Sequence, residues 1–180
     1  MKGFTIKTEI EEYDTFEQYA AQADLGPQDL VLCGEHTYDK YVAPLSLGVQ
    51  TLFREKYGKG EPTDGMVDAI LDALRKKEFN RIIAIGGGTV VDIAKVVAVA
   101  GKEDNVDDLY DNVDKLKKVH PLVIIPTTCG TGSEVTNISV INRVSKGVKM
   151  GLASNAMLAD KAVMITNMLD SLPYKIFATS

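Results

Sequence analysis

The sequence has little that would bind nucleic acid, a structural metal or a membrane. Its 180 residues include two cysteines, two histidines and no tryptophan, and Cys33 and Cys129 lack the spacing of a disulfide framework or a zinc site. Its 20 basic and 25 acidic residues are interspersed, with a net charge of −5 and no basic stripe. No apolar run approaches the roughly 20 residues that cross a bilayer, and the start resembles no signal peptide. We therefore expect a globular cytoplasmic protein without a membrane or nucleic-acid partner.

Apolar runs divide the chain into strands. The segments 30–33, 81–85 and 121–125 are short and almost entirely apolar, which is typical of strands buried on both faces of a parallel sheet. The segment 4–10 alternates apolar and polar residues and predicts an edge strand. Ala162–Ile165 predicts a last strand.

Helical patterns lie between these strands. One helix is expected from about Tyr38, and a second begins at Thr63 or Asp64 and places its apolar residues on one stripe. A third, Thr89–Ala100, is apolar almost all round. This alternation predicts a doubly wound α/β fold with a mainly parallel, Rossmann-like sheet. Residues 138–142 and 148–152, separated by Lys146-Gly147, predict a β-hairpin near the C-terminal end.

A glycine-rich loop, Gly86-Gly87-Gly88, joins the strand 81–85 directly to the helix that starts at Thr89. Glycine lets the backbone approach a ligand closely, and a helix start presents free N–H groups to an anion. A dinucleotide pyrophosphate is the natural ligand, although such a loop can also serve only as a turn. The loop is not the G-x-G-x-x-G fingerprint, because Val91 stands at the third glycine.

Two charged residues follow this loop, and each has two interpretations. Thr89 and Asp92 have the spacing of a capping box, so Asp92 could bind backbone donors at the helix start or contact the ligand. Lys95, one turn later, could reach a phosphate or be a solvated or ion-paired lysine.

A second small-residue loop follows the strand 121–125. The sequence from Pro126 to Thr136 offers hydroxyl groups at Thr127, Thr128, Thr131 and Ser133, which suit ribose, phosphate and carboxamide groups. A turn that caps the next segment would explain only part of this set. Cys129 has no histidine beside it, which favours a packing thiol over a nucleophile.

The segments Gly86–Lys95 and Pro126–Thr136 together resemble the two signatures of the cofactor domain of the iron-containing (group III) alcohol dehydrogenases. The resemblance runs along essentially the whole chain. It implies hydride exchange between NAD and a short primary alcohol. Segments such as Glu61-Pro62-Thr63 and Leu172-Pro173-Tyr174-Lys175 are most similar to family members that interconvert 4-hydroxybutyrate and succinate semialdehyde.

The resemblance also implies roles for individual residues. It places the pyrophosphate on the glycine loop with Thr89, and the nicotinamide half near Thr127, Thr128 and Thr131. It implies that Lys149 approaches the cofactor and that Leu158 borders the adenine. Many NAD-using members present an aspartate to the adenosine ribose where this chain has Gly34-Glu35. Glu35 could accept the ribose hydroxyls and repel a 2′-phosphate, which favours NAD over NADP, or be a surface residue.

Family members continue into a helical domain whose aspartate and histidine ligands hold divalent iron, whereas this sequence ends at Ser180. We expect no metal ligand in it, since His36 and His120 are more typical of surface or packing residues. The resemblance thus implies that residues 1–180 are the dinucleotide-binding domain of a longer enzyme, inactive alone, and that N-terminal strands pair in a homo-oligomer. Two alternatives are a non-catalytic nucleotide-binding module and a domain like dehydroquinate synthase or glycerol-phosphate dehydrogenase.

Overall fold

A six-stranded sheet, in which every strand is parallel to its neighbours, forms the centre of the protein. The computed structural model describes residues 6–170 and Tyr174. The strands lie in the order β1-β8-β5-β4-β2-β3. Their bounds are β1 Glu9–Tyr13, β2 Asp29–Cys33, β3 Gln50–Phe53, β4 Arg81–Gly86, β5 Leu122–Pro126 and β8 Lys161–Ile165; the strands of a separate antiparallel hairpin are β6 Ile138–Arg143 and β7 Val148–Ala153.

Helices cover both faces of the sheet. They are α1 Phe16–Gln22, α2 Glu35–Thr37, α3 Asp64–Leu74, α4 Gly88–Val99 and α5 Val106–Asp111. Because side chains alternate along a strand, Ile82 and Ala84 of β4 pack with α3 and α4, whereas Ile83 and Ile85 pack with α1 on the other face. The predicted doubly wound α/β fold and its C-terminal hairpin are therefore confirmed. No helix among residues 6–170 is long and apolar enough to span a membrane.

The predicted strands and helix starts agree closely with the structure in the middle of the chain. Helix α3 begins at Asp64, and its N-cap Thr63 accepts a hydrogen bond from the Met66 N–H at 3.2 Å. The helix ends at Leu74, where the basic run begins. Strand β8, the last strand in the sequence, is not an edge strand of the sheet, since it lies between β5 and β1. Neither the short strand β3 nor the short helix α5 was predicted.

Two boundaries differ from the sequence-based predictions. The first strand begins at Glu9, because its partner β8 begins only at Lys161, and residues 4–5 lie outside the described residues. Strand β1 is an edge strand, and its pairing with a second copy of the chain stays a prediction. The helix expected from Tyr38 is instead a π-helical turn, Tyr38–Val42, followed by a 3₁₀ turn with Pro44, which lacks the N–H that a regular helix needs.

Replacing Ile83 in the central strand with alanine should remove packing from a side chain that is fully buried. We expect the free energy of unfolding to fall by about 2–5 kcal/mol, as for other buried isoleucines. Ile10→Ala is the matched control, since Ile10 is 53% exposed on the edge strand and should change stability by less than about 0.5 kcal/mol. Urea denaturation measures both, and equal losses would contradict the assigned core.

Candidate functional site

The glycine loop and the threonine-rich loop lie side by side. Strands β4 and β5 are paired in parallel, with Gly86 opposite Pro126, so both loops leave the sheet at the same edge. The Thr127 N–H donates to the Gly86 carbonyl oxygen at 3.1 Å. A Cβ atom at Gly87 would lie 3.2 Å from Cγ2 of Thr128, so any larger residue would require the two loops to move apart by a few tenths of an ångström. The structure therefore brings together the two segments that the sequence singled out.

Helix α4 starts with its backbone donors open. Its N-cap is Gly87, which has no side chain to cap the helix, so the first N–H groups remain for another acceptor. A Cβ at Gly88 would meet no atom within 4 Å, so a side chain at this first helical position would project into open space. The dipole of this twelve-residue helix favours an anion there. Gly87, Gly88 and Thr89 together form a cradle that fits a phosphate group.

The threonine-rich loop turns sharply after β5. Gly130 and Gly132 have φ angles of 105° and 62°, a region that favours glycine. The Ser133 N–H donates to Thr131 Oγ1 at 3.4 Å, and Thr131 itself is exposed. Cys129 is a half-buried free thiol. Thr127 and Thr128 thus lie beside the glycine loop, and Thr131 follows them on an exposed part of the threonine-rich loop.

Asp92 does not cap helix α4, and the capping-box interpretation is wrong. The helix starts one residue earlier than Thr89, at Gly88, and its N-cap carries no side-chain hydrogen bond. The Asp92 carboxylate instead accepts from the Val140 N–H at 3.3 Å and from Ser133 Oγ at 3.4 Å. Burial raises the pKa of this carboxyl group, while the Val140 N–H opposes the shift. Asp92 thus connects the helix to the loop and to the hairpin.

Lys95 is neither solvated nor directed at the open cradle. It is fully buried on α4, and its Nζ donates to Ser133 Oγ at 3.2 Å, to Thr136 Oγ1 at 3.0 Å and to the Ile138 carbonyl oxygen at 2.8 Å. Burial lowers the pKa of Lys95 to about 8, against the opposing charges of Asp92 and Glu134. The ammonium group therefore lies beneath the end of the threonine-rich loop.

Glu35 lies at the same edge of the sheet, beyond the glycine loop. It is exposed and is the first residue of α2, directly after the carboxyl end of β2, the strand that pairs with β4. A cavity of about 160 Å³ opens beside this turn. It is lined by His36, Thr37, Lys40, Tyr41, Thr127, Thr128 and Met168. The sequence did not indicate this cavity, because its walls come from three distant segments.

Lys149 is located on the hairpin, where it is exposed and forms an ion pair with Glu61 at 2.7 Å. On the hairpin it lies opposite Asn142, two residues after Val140, whose N–H donates to the Asp92 carboxylate. Lys149 is therefore close to the helix that starts the cradle, although its ammonium group is engaged by a carboxylate.

Leu158 lies elsewhere. It precedes β8, and its carbonyl oxygen accepts from Lys118, which precedes β5. Since the strands are parallel, residues before β5 and β8 lie at the amino edge of the sheet, opposite to both loops. The structure therefore separates Leu158 from the other candidate residues. Met168, which follows β8 at the carboxyl edge, borders the cavity instead.

No metal centre is formed by the part of the chain that the structure describes. No three side chains of histidine, cysteine, aspartate or glutamate in this part converge on a point that could hold an ion. His36 borders the cavity near Glu35, whereas the ring of His120 stacks on Phe79 with 4.3 Å between the ring centroids. These residues do not fit an iron site.

Comparison with known proteins identifies the family. A family model described as iron-containing alcohol dehydrogenase matches residues 10–166. The chain belongs to this family. It is 39% identical over 180 residues to the 4-hydroxybutyrate dehydrogenase of Clostridium kluyveri, covering all of this chain and 48% of that protein.

Solved structures of this family superpose on nearly the whole chain. The iron-containing alcohol dehydrogenase of Thermotoga maritima is 27% identical, with a TM-score of 0.78, over 97% of this chain and 50% of that one. The sulfoacetaldehyde reductase of Bifidobacterium kashiwanohense, solved with NAD⁺, is 24% identical, with a TM-score of 0.80, over 98% of this chain and 49% of that one. The chain thus spans about half the length of the relatives it matches.

A methyl group at Gly86 and one at Gly88 should have opposite effects on stability. A Cβ at Gly86 would lie 2.7 Å from Cβ of Val90, so Gly86→Ala forces the helix away from the strand. We expect it to lower the free energy of unfolding by about 1–3 kcal/mol. Gly88→Ala meets open space at the first helical position and should leave stability unchanged or slightly raised. Thermal unfolding compares the two, and destabilisation of both would contradict the open cradle.

Proposed function

We propose that residues 1–180 form the cofactor-binding half of an NAD-dependent alcohol dehydrogenase that interconverts 4-hydroxybutyrate and succinate semialdehyde. The observation that carries this proposal is the uncapped start of α4 at Gly87, in contact with the threonine-rich loop. The family membership supports an oxidoreductase. The identity to the Clostridium kluyveri enzyme supports the substrate pair, and the NAD⁺ bound by the reductase of the same fold supports the cofactor.

The cradle determines where the pyrophosphate would bind. Its negative charge is complementary to the helix dipole and to the free N–H groups of Gly88 and Thr89. A molecule bound there has Thr127 and Thr128 on one side, since Thr128 lies against Gly87. Hydroxyl groups both donate and accept, so these threonines can bind phosphate oxygens or ribose hydroxyls.

The remaining parts of the dinucleotide would extend along the same edge of the sheet. We assign the adenosine end to the cavity beside Glu35, whose carboxylate can accept hydrogen bonds from the ribose hydroxyls. Thr127 and Thr128 border this cavity. We assign the nicotinamide half to the part of the loop that continues from them to Thr131. Lys149 now forms an ion pair with Glu61. On cofactor binding its ammonium group would leave Glu61 and pair with the pyrophosphate instead. Leu158 has no part in this arrangement, because it lies at the opposite edge.

The nicotinamide ring, when bound, supplies or accepts the hydride. The role of this chain is to bind and orient the dinucleotide, so that one face of the ring is presented beyond the carboxyl edge of the sheet. Because the described residues bring no metal ligands together, they offer no site that would polarise an alcohol oxygen. We therefore expect residues 1–180 alone to bind the cofactor without oxidising an alcohol.

Introducing a carboxylate into the cradle should strongly weaken cofactor binding. Gly88→Asp places bulk and negative charge in front of the helix start, and we expect its NADH affinity to fall at least about tenfold. Gly88→Ala is the matched control for the loss of glycine without added charge, and it should retain most of the affinity. Isothermal titration calorimetry with NADH measures all three proteins. Unchanged binding by Gly88→Asp, or no NADH binding by the unmodified chain, would contradict the proposal.

Glu35 should select NADH over NADPH. Its carboxylate repels a 2′-phosphate, so Glu35→Gln should tighten NADPH binding relative to NADH by about three- to tenfold. Glu55→Gln is the control, because Glu55 is an exposed glutamate whose carboxylate lies next to Gly34. Competition titrations with both nucleotides give the ratio of dissociation constants. If Glu35→Gln leaves this ratio unchanged, Glu35 does not contact the ribose.

A further inference from the structure

Lys95 is the one charged residue among the nine buried residues of α4. Its Nζ has three protein acceptors, which is the full donor capacity of an ammonium group. All three acceptors lie between Ser133 and Ile138, the segment that joins the threonine-rich loop to the hairpin. The three hydrogen bonds end at three different residues of that segment, so a single ammonium group connects the helix to the whole segment.

Asp92 completes this connection one helical turn before Lys95. Its carboxylate accepts from Ser133 Oγ and from the Val140 N–H, and its backbone carbonyl accepts from Ser139 Oγ at 2.9 Å. Ser133 therefore lies between the two charged groups and is hydrogen-bonded to both. Lys95 is fully buried and Asp92 half-buried, so either charge would be unfavourable without its partners, which favours one conformation of the loop.

We propose that Lys95 is a positioning residue of the cofactor site, which holds the threonine-rich loop against the glycine loop from beneath. This inference rests on the proposed function, since it names how that site is kept in a binding conformation. Lys95 itself does not touch the cofactor. It acts through Ser133 and Thr136, and these hydrogen bonds fix the end of the loop that carries Thr131.

The affinity for NADH should depend on whether Lys95 is protonated. The groups that face it are Asp92 on its own helix and Glu134 on the loop, and both favour the ammonium form. Burial has the larger, opposite effect and lowers the pKa of Lys95 to about 8. Loss of the proton removes one of the three donors. NADH affinity should therefore be constant below this pH and fall as the pH rises through about 8.

Lys95→Met tests the inference, because methionine has a similar length and no charge. We expect its NADH affinity to be lower by about tenfold or more at pH 7, and to show no fall near pH 8. Lys118→Met is the matched control. Lys118 also donates to a carbonyl oxygen and a carboxylate, those of Leu158 and Asp160, but at the opposite edge of the sheet. It should keep the affinity and the pH profile of the unmodified chain.

Cys129→Ser is a second control for the pH dependence of NADH affinity, because Cys129 is a free thiol in the same loop. Cys129→Ser should retain the fall in affinity near pH 8 if Lys95 causes it. If the role of Lys95 were purely structural, Lys95→Met would lower stability and leave the pH dependence of NADH affinity unaltered. If Lys95→Met binds NADH as tightly as the unmodified chain, or if its pH profile is unchanged, the inference is wrong.

Hydrogen exchange separates this inference from the proposed function. In Lys95→Met the amides of residues 133–138 should exchange faster, while those of the strands β4 and β5 stay protected. Faster exchange in this segment would support the role of Lys95 in holding the loop. If the chain showed this result but bound no nucleotide, only the proposed function would be contradicted. Should Lys95→Met not fold, Thr136→Val removes one acceptor at constant volume and should accelerate exchange in the same segment. Unchanged exchange in the variant that folds overturns the inference.

Discussion

The parallel pairing of β4 with β5 is the constraint on which the candidate site depends. In a parallel pair both strands end at the same edge, so the segments that follow them must meet. Here those segments are the glycine loop and the threonine-rich loop, which touch at Gly87 and Thr128. A shift in this register would separate the loops and leave the start of α4 without its neighbour. The chemistry of the site is therefore a consequence of sheet topology.

Helix α4 serves the site in two ways. Its start presents uncapped N–H groups to an anion, and its buried middle binds the adjoining loop through Asp92 and Lys95. The side chains that would be unfavourable in an apolar core are satisfied there by the loop itself. The hairpin is attached to other helices as well, since Asp64 of α3 accepts from the Ser145 N–H at 3.0 Å. Helix α4 thus links the anion cradle to the threonine-rich loop and to the hairpin.

Several functional features could be predicted from local sequence. Apolar runs predicted the buried strands, and the small-residue loops that follow two of them predicted the site, because these signals depend on residues close in sequence. A further signal was available at Lys95: a lysine within a helix that is apolar all round must find acceptors in the core. The cavity beside Glu35 had no such signal, because it is formed by α2, the π-helical turn, the loop after β5 and Met168.

The sequence by itself determined the α/β fold class, the two loops and the membership of the iron-containing alcohol dehydrogenases, since these follow from patterns within short segments. Only the tertiary structure decided the order of the strands, and with it which residues share an edge. That order placed Leu158 away from the loops and Met168 beside them, and it gave Asp92 and Lys95 their partners across 41 positions of the chain. Contacts between segments so far apart depend on packing and on the satisfaction of buried charges, which no local pattern records.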